Sequence, residues 1–359
     1  MPLLSMTTPK RTVAEPTVFL LLTLLLLASV PREVSATFSL AAVDSSNQQI
    51  GAVGASCVPE SVFDVLYHSV PGRGIVMTQA LPPPAGSAVY RISTELLTNG
   101  ASPDDLLERI TDPEVDVNGE SLIDGTRFPG PSLRQYGVVA LPLSSDRNAE
   151  TAGHTGAGIP AFYVAVGLTE DSLGSAYTQE HQGGQKYEYT YSAQGNIVSA
   201  DTVPTLAETF DAAETACDLA DRLMMAFAAI FETNSTGGDP FLGDVRCIPL
   251  PASSAFLHVD NPDGTELIHI DIVEGENVTA GESPFVPLKE AYDAWRVEYP
   301  CPIRVIPSEA PTGVPTTSPS SAPTSAPTSS ASSRRMAPIL MGNVLLWATA
   351  VTLPLFSLF

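Results

Sequence analysis

The sequence predicts an α+β domain in which two antiparallel sheets pack face to face, with helices on their outer sides. Three observations carry this. Runs of strand composition come in pairs joined by turn residues, as hairpins do. Between them lie longer segments whose apolar positions recur every three to four residues. The order (strands, helices, strands, helix, strands, helix) gives each sheet helical cover.

Each element follows from local chemistry. Thr37–Val43 (TFSLAAV) and Ile50–Ser56 (IGAVGAS) flank Asp44-Ser45-Ser46-Asn47, a turn composition, and read as a hairpin. Gly74–Ala80 (GIVMTQA) reads as a third strand. Helices are expected over Ser87–Thr98, which Gly100 ends, and Ser102–Ile110, where Ser102 offers an N-cap and Pro103 suits the first turn. Strands follow at Arg134–Leu141 and just before His154. The spacing of Leu206, Phe210, Ala213, Cys217, Ala220 and Met224 predicts one long helix over Val203–Phe231. Ser254–Val259 and Glu266–Ile272 form a second hairpin around Asn261-Pro262-Asp263-Gly264, and a helix over Pro287–Arg296 closes the domain.

Both ends of the chain carry processing signals. Lys10 and Arg11 precede an apolar run of 13 residues, Val18 to Val30, and Val34-Ser35-Ala36 has the small-residue pattern of a signal-peptidase site. The run is too short for a membrane-spanning helix, which needs about 20 residues. Residues 1–36 are therefore expected to be a secretory signal peptide, 37–307 the folded domain, and 308–333 a Ser/Thr/Pro-rich stalk suited to O-glycosylation. Residues 334–359, an Arg pair and an apolar tail, read as a GPI-anchor signal in preference to a transmembrane helix, because the Arg pair would lie on the outer side. The expected location is the cell surface, with membrane attachment through this C-terminal anchor.

Residues 37–333 keep 12 basic and 38 acidic side chains, a net charge of −26 that disfavours nucleic acid and anionic membranes as partners. Cys57, Cys217, Cys247 and Cys301 predict two disulfides with three possible pairings. No Cys-x-x-Cys occurs and no histidine stands near a cysteine, so a metal site is not expected. No phosphate-cradling glycine loop precedes a helix, and no cofactor is expected. Asn234-Ser235-Thr236 and Asn277-Val278-Thr279 are N-glycosylation sequons. Nothing in the chain bears on oligomeric state.

A cut after Ala36 would make Thr37 the first residue of the mature chain. A Thr hydroxyl is a weak nucleophile without a base, and a free α-amine, with a pKa of about 7.7–8.0, can serve as that base directly or through one water. Thr is also at home in a strand, so position 37 admits a purely structural reading.

The ordered segments TFSLAAVD…GAVGAS, GRGIVMTQA, RQYGVVAL, HTGAG, AQGNIV and GGD…SSAFLHV…IHIDIVE resemble the DUF1028 family, assigned to the N-terminal nucleophile (Ntn) hydrolases. The resemblance runs from Thr37 to about Arg296. It implies a four-layer αββα sandwich and, in bacterial relatives, a Thr exposed by removal of the initiator Met. It also implies an amide or peptide-like small-molecule substrate without assigning one. Apparent insertions fall at Glu114–Leu133, Leu168–Tyr189 and Pro240–Pro251. Thr37 is then the expected nucleophile. Asn196 is a candidate oxyanion donor beside Gln194 and Gly195, or else part of a turn before the long helix. His154, Thr155 and Gly156 are candidate pocket residues; His154 reads as a structural hydrogen-bonder in preference to a catalytic base, because the α-amine already fills that role. Asp239 orients the amine or caps a turn, and Asp44 reads equally as a site residue or as an anchor of the first hairpin. The polar, Gly-rich segment Leu173–Tyr191 reads as a substrate-covering loop or an exposed insertion. The functional expectation is an extracellular amidohydrolase; the alternative is a catalytically silent surface module on the same fold.

Overall fold

The computed structural model describes residues 37–58, 60–121, 125–144, 148–165, 178–235, 252–279 and 281–301, with 178–180 and 233–235 described by their backbone alone. The expected signal, stalk and tail lie outside these residues. No helix among the described residues is long and apolar enough to cross a membrane.

The domain opens on the hairpin of β1 (Thr37–Asp44) and β2 (Gln49–Ser56). Asp44 holds its turn, Oδ1 accepting from Ser46 N at 2.8 Å and Oδ2 from Asn47 Nδ2 at 2.8 Å. A short helix α1 (Val62–Leu66) leads to β3 (Tyr67–Val70) and β4 (Gly74–Ala80). Next come α2 (Ala88–Thr98) and α3 (Pro103–Ile110), where the Ser102 hydroxyl accepts from Asp105 N as the sequence expects. After α2 the Gly100 and Ala101 amides donate back to the Leu97 and Leu96 carbonyls, closing the helix. A small ribbon, β5 (Glu120–Ser121) and β6 (Arg127–Phe128), precedes β7 (Arg134–Ala140) and β8 (Glu150–Thr155). The rest is α4 (Ile159–Ala165), β9 (Thr178–Lys186), β10 (Tyr189–Val198), α5 (Thr202–Ala212), α6 (Leu219–Ser235), β11 (Ser254–Asp260), β12 (Glu266–Ile272) and α7 (Phe285–Glu298).

Two antiparallel sheets result, one ordered β12-β11-β2-β1-β10-β9 and the other β3-β4-β7-β8. They face each other, with α5, α6 and α7 on the outside of the first sheet and α2 and α3 on the outside of the second. The layers run helix, sheet, sheet, helix, as the sequence predicts. Alternation assigns the faces. Along β1, Phe38, Leu40 and Ala42 join Phe210, Leu223 and Phe227 under the first helical layer, while Ala41 and Val43 meet Ile75, Met77 and Val139 between the sheets. On the far side Val76, Tyr136 and Val138 pack with Val89, Leu97 and Leu106.

Three expectations change. The long helix over Val203–Phe231 is two helices, α5 and α6. Asp218 starts the second, its Oδ1 accepting from Asp221 N at 2.9 Å, and the Arg296 guanidinium grips the same carboxylate with two bonds of 2.9 Å. Arg222 donates to the Phe210 carbonyl and so closes the end of α5. The repeat of apolar residues spans the break, which is why periodicity alone hides it. Secondly, the described part of Leu173–Tyr191 is no loop: it supplies β9 and the start of β10. Thirdly, Gln194–Asn196 lies within β10 and not in a turn. The Cys217–Cys301 disulfide joins the head of α6 to the chain after α7, with Cα atoms 5.5 Å apart. Cys57 is also disulfide-bonded, and Cys247 lies outside the described residues.

Candidate active site

The face of the first sheet turned toward the second is apolar at one end and polar at the other. The polar end begins at Thr37, whose register partners are Ser56 on β2 and Asn196 on β10. One step along, Ser39 pairs with Gln194, and Gln194 with His181 on β9. Opposite them, the second sheet presents Gln79, Gln135 and Thr155 in a single row.

These side chains form one hydrogen-bonded seam. Ser192 Oγ donates to Gln194 Oε1 at 2.9 Å, Gln194 Nε2 to Ser39 Oγ at 2.5 Å, and Ser39 Oγ to Gln79 Oε1 at 2.9 Å. Gln79 Nε2 donates to Gln135 Oε1 at 2.5 Å and, more weakly, to the Thr37 carbonyl at 3.4 Å. Gln135 Nε2 ends the chain on Thr155 Oγ1 at 3.0 Å and the Gly195 carbonyl at 2.9 Å. Ser192 spends its only hydroxyl proton on Gln194, so the 2.9 Å contact from His181 Nε2 must have the imidazole as donor. Burial holds the His181 pKa below the ordinary histidine value. Ser39, Gln79, Gln135 and Gln194 are all at most 1 % exposed, so these bonds satisfy groups that water does not reach.

Gly137 makes this close approach possible. A Cβ there would stand 1.8 Å from Gln194 Oε1.

At the head of β1 the arrangement changes character. Thr37 Oγ1 lies 3.1 Å from Ser56 Oγ, with either atom able to donate. Asn196 is fully buried; its Oδ1 accepts from Tyr163 OH at 3.1 Å, and its Nδ2 has no partner among the described residues. The next residue, Ile197, has φ 55°, a conformation that costs a β-branched residue about 1–3 kcal/mol. It sits at the irregularity that shifts the β9–β10 register between Asn196 and Val198. Ala80, at φ 70°, belongs to the same apolar cluster as Ile197, together with Leu133, Ile159, Phe162 and Tyr163.

The remaining expected residues divide. Thr155, Gln194 and Gly195 take part in the seam. His154 does not: its Nε2 meets the Pro131 carbonyl at 2.9 Å and its ring packs near Tyr136, on the opposite face of β8. The structural reading of His154 is therefore the one its geometry supports. Gly156 is the tight point where the chain passes Ser132, whose carbonyl oxygen a Cβ would approach to 2.3 Å. Asp239 lies outside the described residues, as does the side chain of Asn234. Asn277 is exposed, on a turn.

Several site residues escape the sequence reading: Ser39, Gln79, Gln135, Tyr163, His181 and Ser192. The signal for Ser39 and Ser192 is the alternation of small polar residues with apolar ones in TFS and YTYSAQGN. The glutamines of QA and RQYG read as ordinary strand positions. Beside the seam, Arg134 and Asp116 form a bidentate ion pair, Nε to Oδ2 at 2.8 Å and Nη2 to Oδ1 at 3.2 Å, with side chains 3 % and 0 % exposed. Arg134 also donates to the Leu81 and Asn118 carbonyls. Two surface clefts, of about 770 and 900 Å³, lie elsewhere, along α7 and between α2 and α3.

No protein-family model matches the chain, and no curated protein matches it. Among solved structures, the crystal structure of a DUF1028 protein from Silicibacter pomeroyi is similar at 18 % identity and a TM-score of 0.46, over 73 % of this chain and 89 % of that one.

Proposed function

We propose that this domain is an N-terminal-threonine amidohydrolase, secreted and held at the cell surface by its C-terminal anchor, acting on a small amide or peptide-like bond. The observation that carries the reading is the juxtaposition at the head of β1. The Thr37 hydroxyl stands in register with Asn196, and Asn196 keeps a buried N–H donor unpartnered. A buried donor left open costs about 1–3 kcal/mol, and catalytic sites are where such a cost is met by function. The Ala36–Thr37 cleavage pattern and the ordered DUF1028-like segments support the same reading from the sequence.

In the reaction, cleavage after Ala36 frees the Thr37 α-amine. Thr37 Oγ1 attacks the amide carbon as the amine takes its proton, and the carbonyl oxygen becomes an oxyanion facing Asn196 Nδ2. Collapse breaks the C–N bond, and the α-ammonium returns its proton to the leaving amine. Water, deprotonated by the same amine, then hydrolyses the Thr37 ester and restores the hydroxyl. The neutral glutamine wall fixes the carbonyls of Thr37 and Gly195 without placing a charge that would compete with the amine.

One observation favours the silent-module alternative. Thr37 is 1 % exposed in the uncleaved chain, so catalysis requires the site to open.

The test is N-terminal sequencing and intact mass of the protein secreted from a eukaryotic host, followed by exposure to a β-lactone, whose strained ester acylates an activated hydroxyl. The expected results are a chain starting at Thr37 and one added lactone mass, absent in Thr37→Ala. A chain starting elsewhere, or a blocked amine, refutes the mechanism.

A further inference from the structure

The amide of an asparagine can present either its oxygen or its NH₂ group to a site, and only the second can stabilise an oxyanion. We propose that Tyr163 makes that choice: it is the positioning residue that holds the Asn196 amide with Nδ2 toward Thr37. The inference rests on the reading of Thr37 as nucleophile and goes beyond it to a residue in another structural layer.

The geometry is specific. Tyr163 is fully buried, and its hydroxyl donates to Asn196 Oδ1 at 3.1 Å. With Oδ1 engaged, the NH₂ group is the end left open, and it is the end that lacks a partner among the described residues. Were the amide reversed, the phenol would have to accept from Nδ2, which it does less well than it donates, and an acceptor oxygen would face the developing negative charge and repel it. Ile197 adds a second constraint, because its left-handed backbone at the register shift of β10 re-aims the preceding side chain.

Tyr163 is delivered there by a route the sequence already shows. The segment His154-Thr155-Gly156-Ala157-Gly158 ends β8 and launches α4. The Gly156 amide donates to the Arg134 carbonyl at 2.8 Å and the Gly158 amide to the Ser132 carbonyl at 2.9 Å, which turns the chain back over the site. Ile159 and Phe162 pack α4 onto Leu133, Ala80 and Ile197, so the ring of Tyr163 has no freedom to move away. The HTGAG motif thus serves as a mount for Tyr163, with only Thr155 of its residues touching the seam.

The experiment measures the rate of Thr37 acylation by a β-lactone, by intact mass, for the processed wild type, Tyr163→Phe, Asn196→Ala and the double variant. Tyr163→Phe keeps the ring and removes the hydroxyl. It is expected to slow acylation about 10-fold, against about 10²–10³-fold for Asn196→Ala. Because Tyr163 acts through Asn196, the double variant should be no slower than Asn196→Ala alone. Phe162→Leu, which loosens the same cluster, should lower the melting temperature without this pattern. Wild-type rates in Tyr163→Phe, or a further 10-fold loss in the double variant, overturn the inference.

A readout independent of reactivity separates the two claims. With ¹⁵N-asparagine labelling, the side-chain NH₂ signals of Asn196 are assigned by their loss in Asn196→Ala. They should shift and broaden in Tyr163→Phe as the amide loses its fixed orientation, and unchanged signals refute the positioning role. If wild-type Thr37 takes up no lactone while these signals do move, the nucleophile reading fails and the positioning contact stands.

Discussion

Gly137→Ala should be among the most damaging single-methyl additions in the domain. A Cβ at this position would lie 1.8 Å from Gln194 Oε1, 2.5 Å from Gln194 Cδ and 2.6 Å from Ser192 Oγ. The glutamine end is flexible in principle, but here it accepts from Ser192 and donates to Ser39, both fully enclosed. Moving it out breaks both bonds and leaves buried polar groups open at about 1–3 kcal/mol each. The alanine recovers roughly 0.4–1 kcal/mol by restricting the unfolded chain. The net expected loss is about 3 kcal/mol, or roughly 6–12 °C in melting temperature for a domain of this size. Denaturant unfolding followed by circular dichroism, with disulfides intact, reads it directly. The mechanism makes a sharper demand in the Gln194→Ala background. There the obstructing amide is gone, Ser192 is free to turn, and Gly137→Ala should cost under about 1 kcal/mol. A loss below about 1 kcal/mol in the wild type, or an equal loss in both backgrounds, would show that the seam does not constrain the sheet spacing.

The other expectations concern charge, covalent closure and chemistry. Asp116→Asn leaves the Arg134 guanidinium buried with half its ion pair, and should cost about 3–5 kcal/mol in chemical unfolding, more than Arg109→Gln in the exposed Arg109–Asp112 pair, which should cost under about 1. Cys301→Ser opens a bridge across 84 residues and should cost about 4–5 kcal/mol by loop entropy, read from the shift in denaturant midpoint. His181 binds its proton less readily folded than unfolded, so its contribution to stability is complete above the unfolded value of about 6.5 and is lost as pH falls through the folded one. The slope is at most about 1.4 kcal/mol per pH unit. His181→Gln should flatten the stability profile in that window, leaving the contribution of His68, whose pKa burial also lowers. Finally, Thr37→Ser should retain lactone acylation and Thr37→Ala abolish it, both read by intact mass.

How much of this was legible depends on which contacts each feature needs. The first hairpin, Gly74–Ala80, α2, α3 and Glu266–Ile272 were legible because their alternation, caps and turn residues are local. The split between α5 and α6 was not, because Asp218 is stabilised by Arg296, 78 positions later in the chain. The β9–β10 hairpin was hidden by polar composition. Ser192, Gln194 and Asn196 face an interior polar seam, so the apolar half of the alternation had to be read from Tyr189, Tyr191 and Ala193 alone. Thr37 and Asn196 were named by their chemistry and stand together in register. Tyr163 was not nameable, since the bond it makes crosses from one sheet's loop to the other sheet's strand.

If Thr37 is the nucleophile, as proposed, the seam bears on how its hydroxyl would react at the end of an otherwise rigid interface. From His181 through Ser192, Gln194, Ser39, Gln79 and Gln135 to Gly195, every donor points the same way, so no member can reverse without breaking its neighbours. Thr37 contributes only its carbonyl to that chain, through the long contact from Gln79. Its hydroxyl is tied instead to Ser56, in a pair where either oxygen can donate. Turning the Thr37 hydroxyl toward a substrate therefore disturbs one local bond and leaves the directed chain in place. On the proposed reading of Thr37 as nucleophile, the seam is set before reaction, while the hydroxyl that must move once the site opens is the one the seam leaves free to turn. That separation is what electrostatic preorganisation requires of a nucleophile's surroundings.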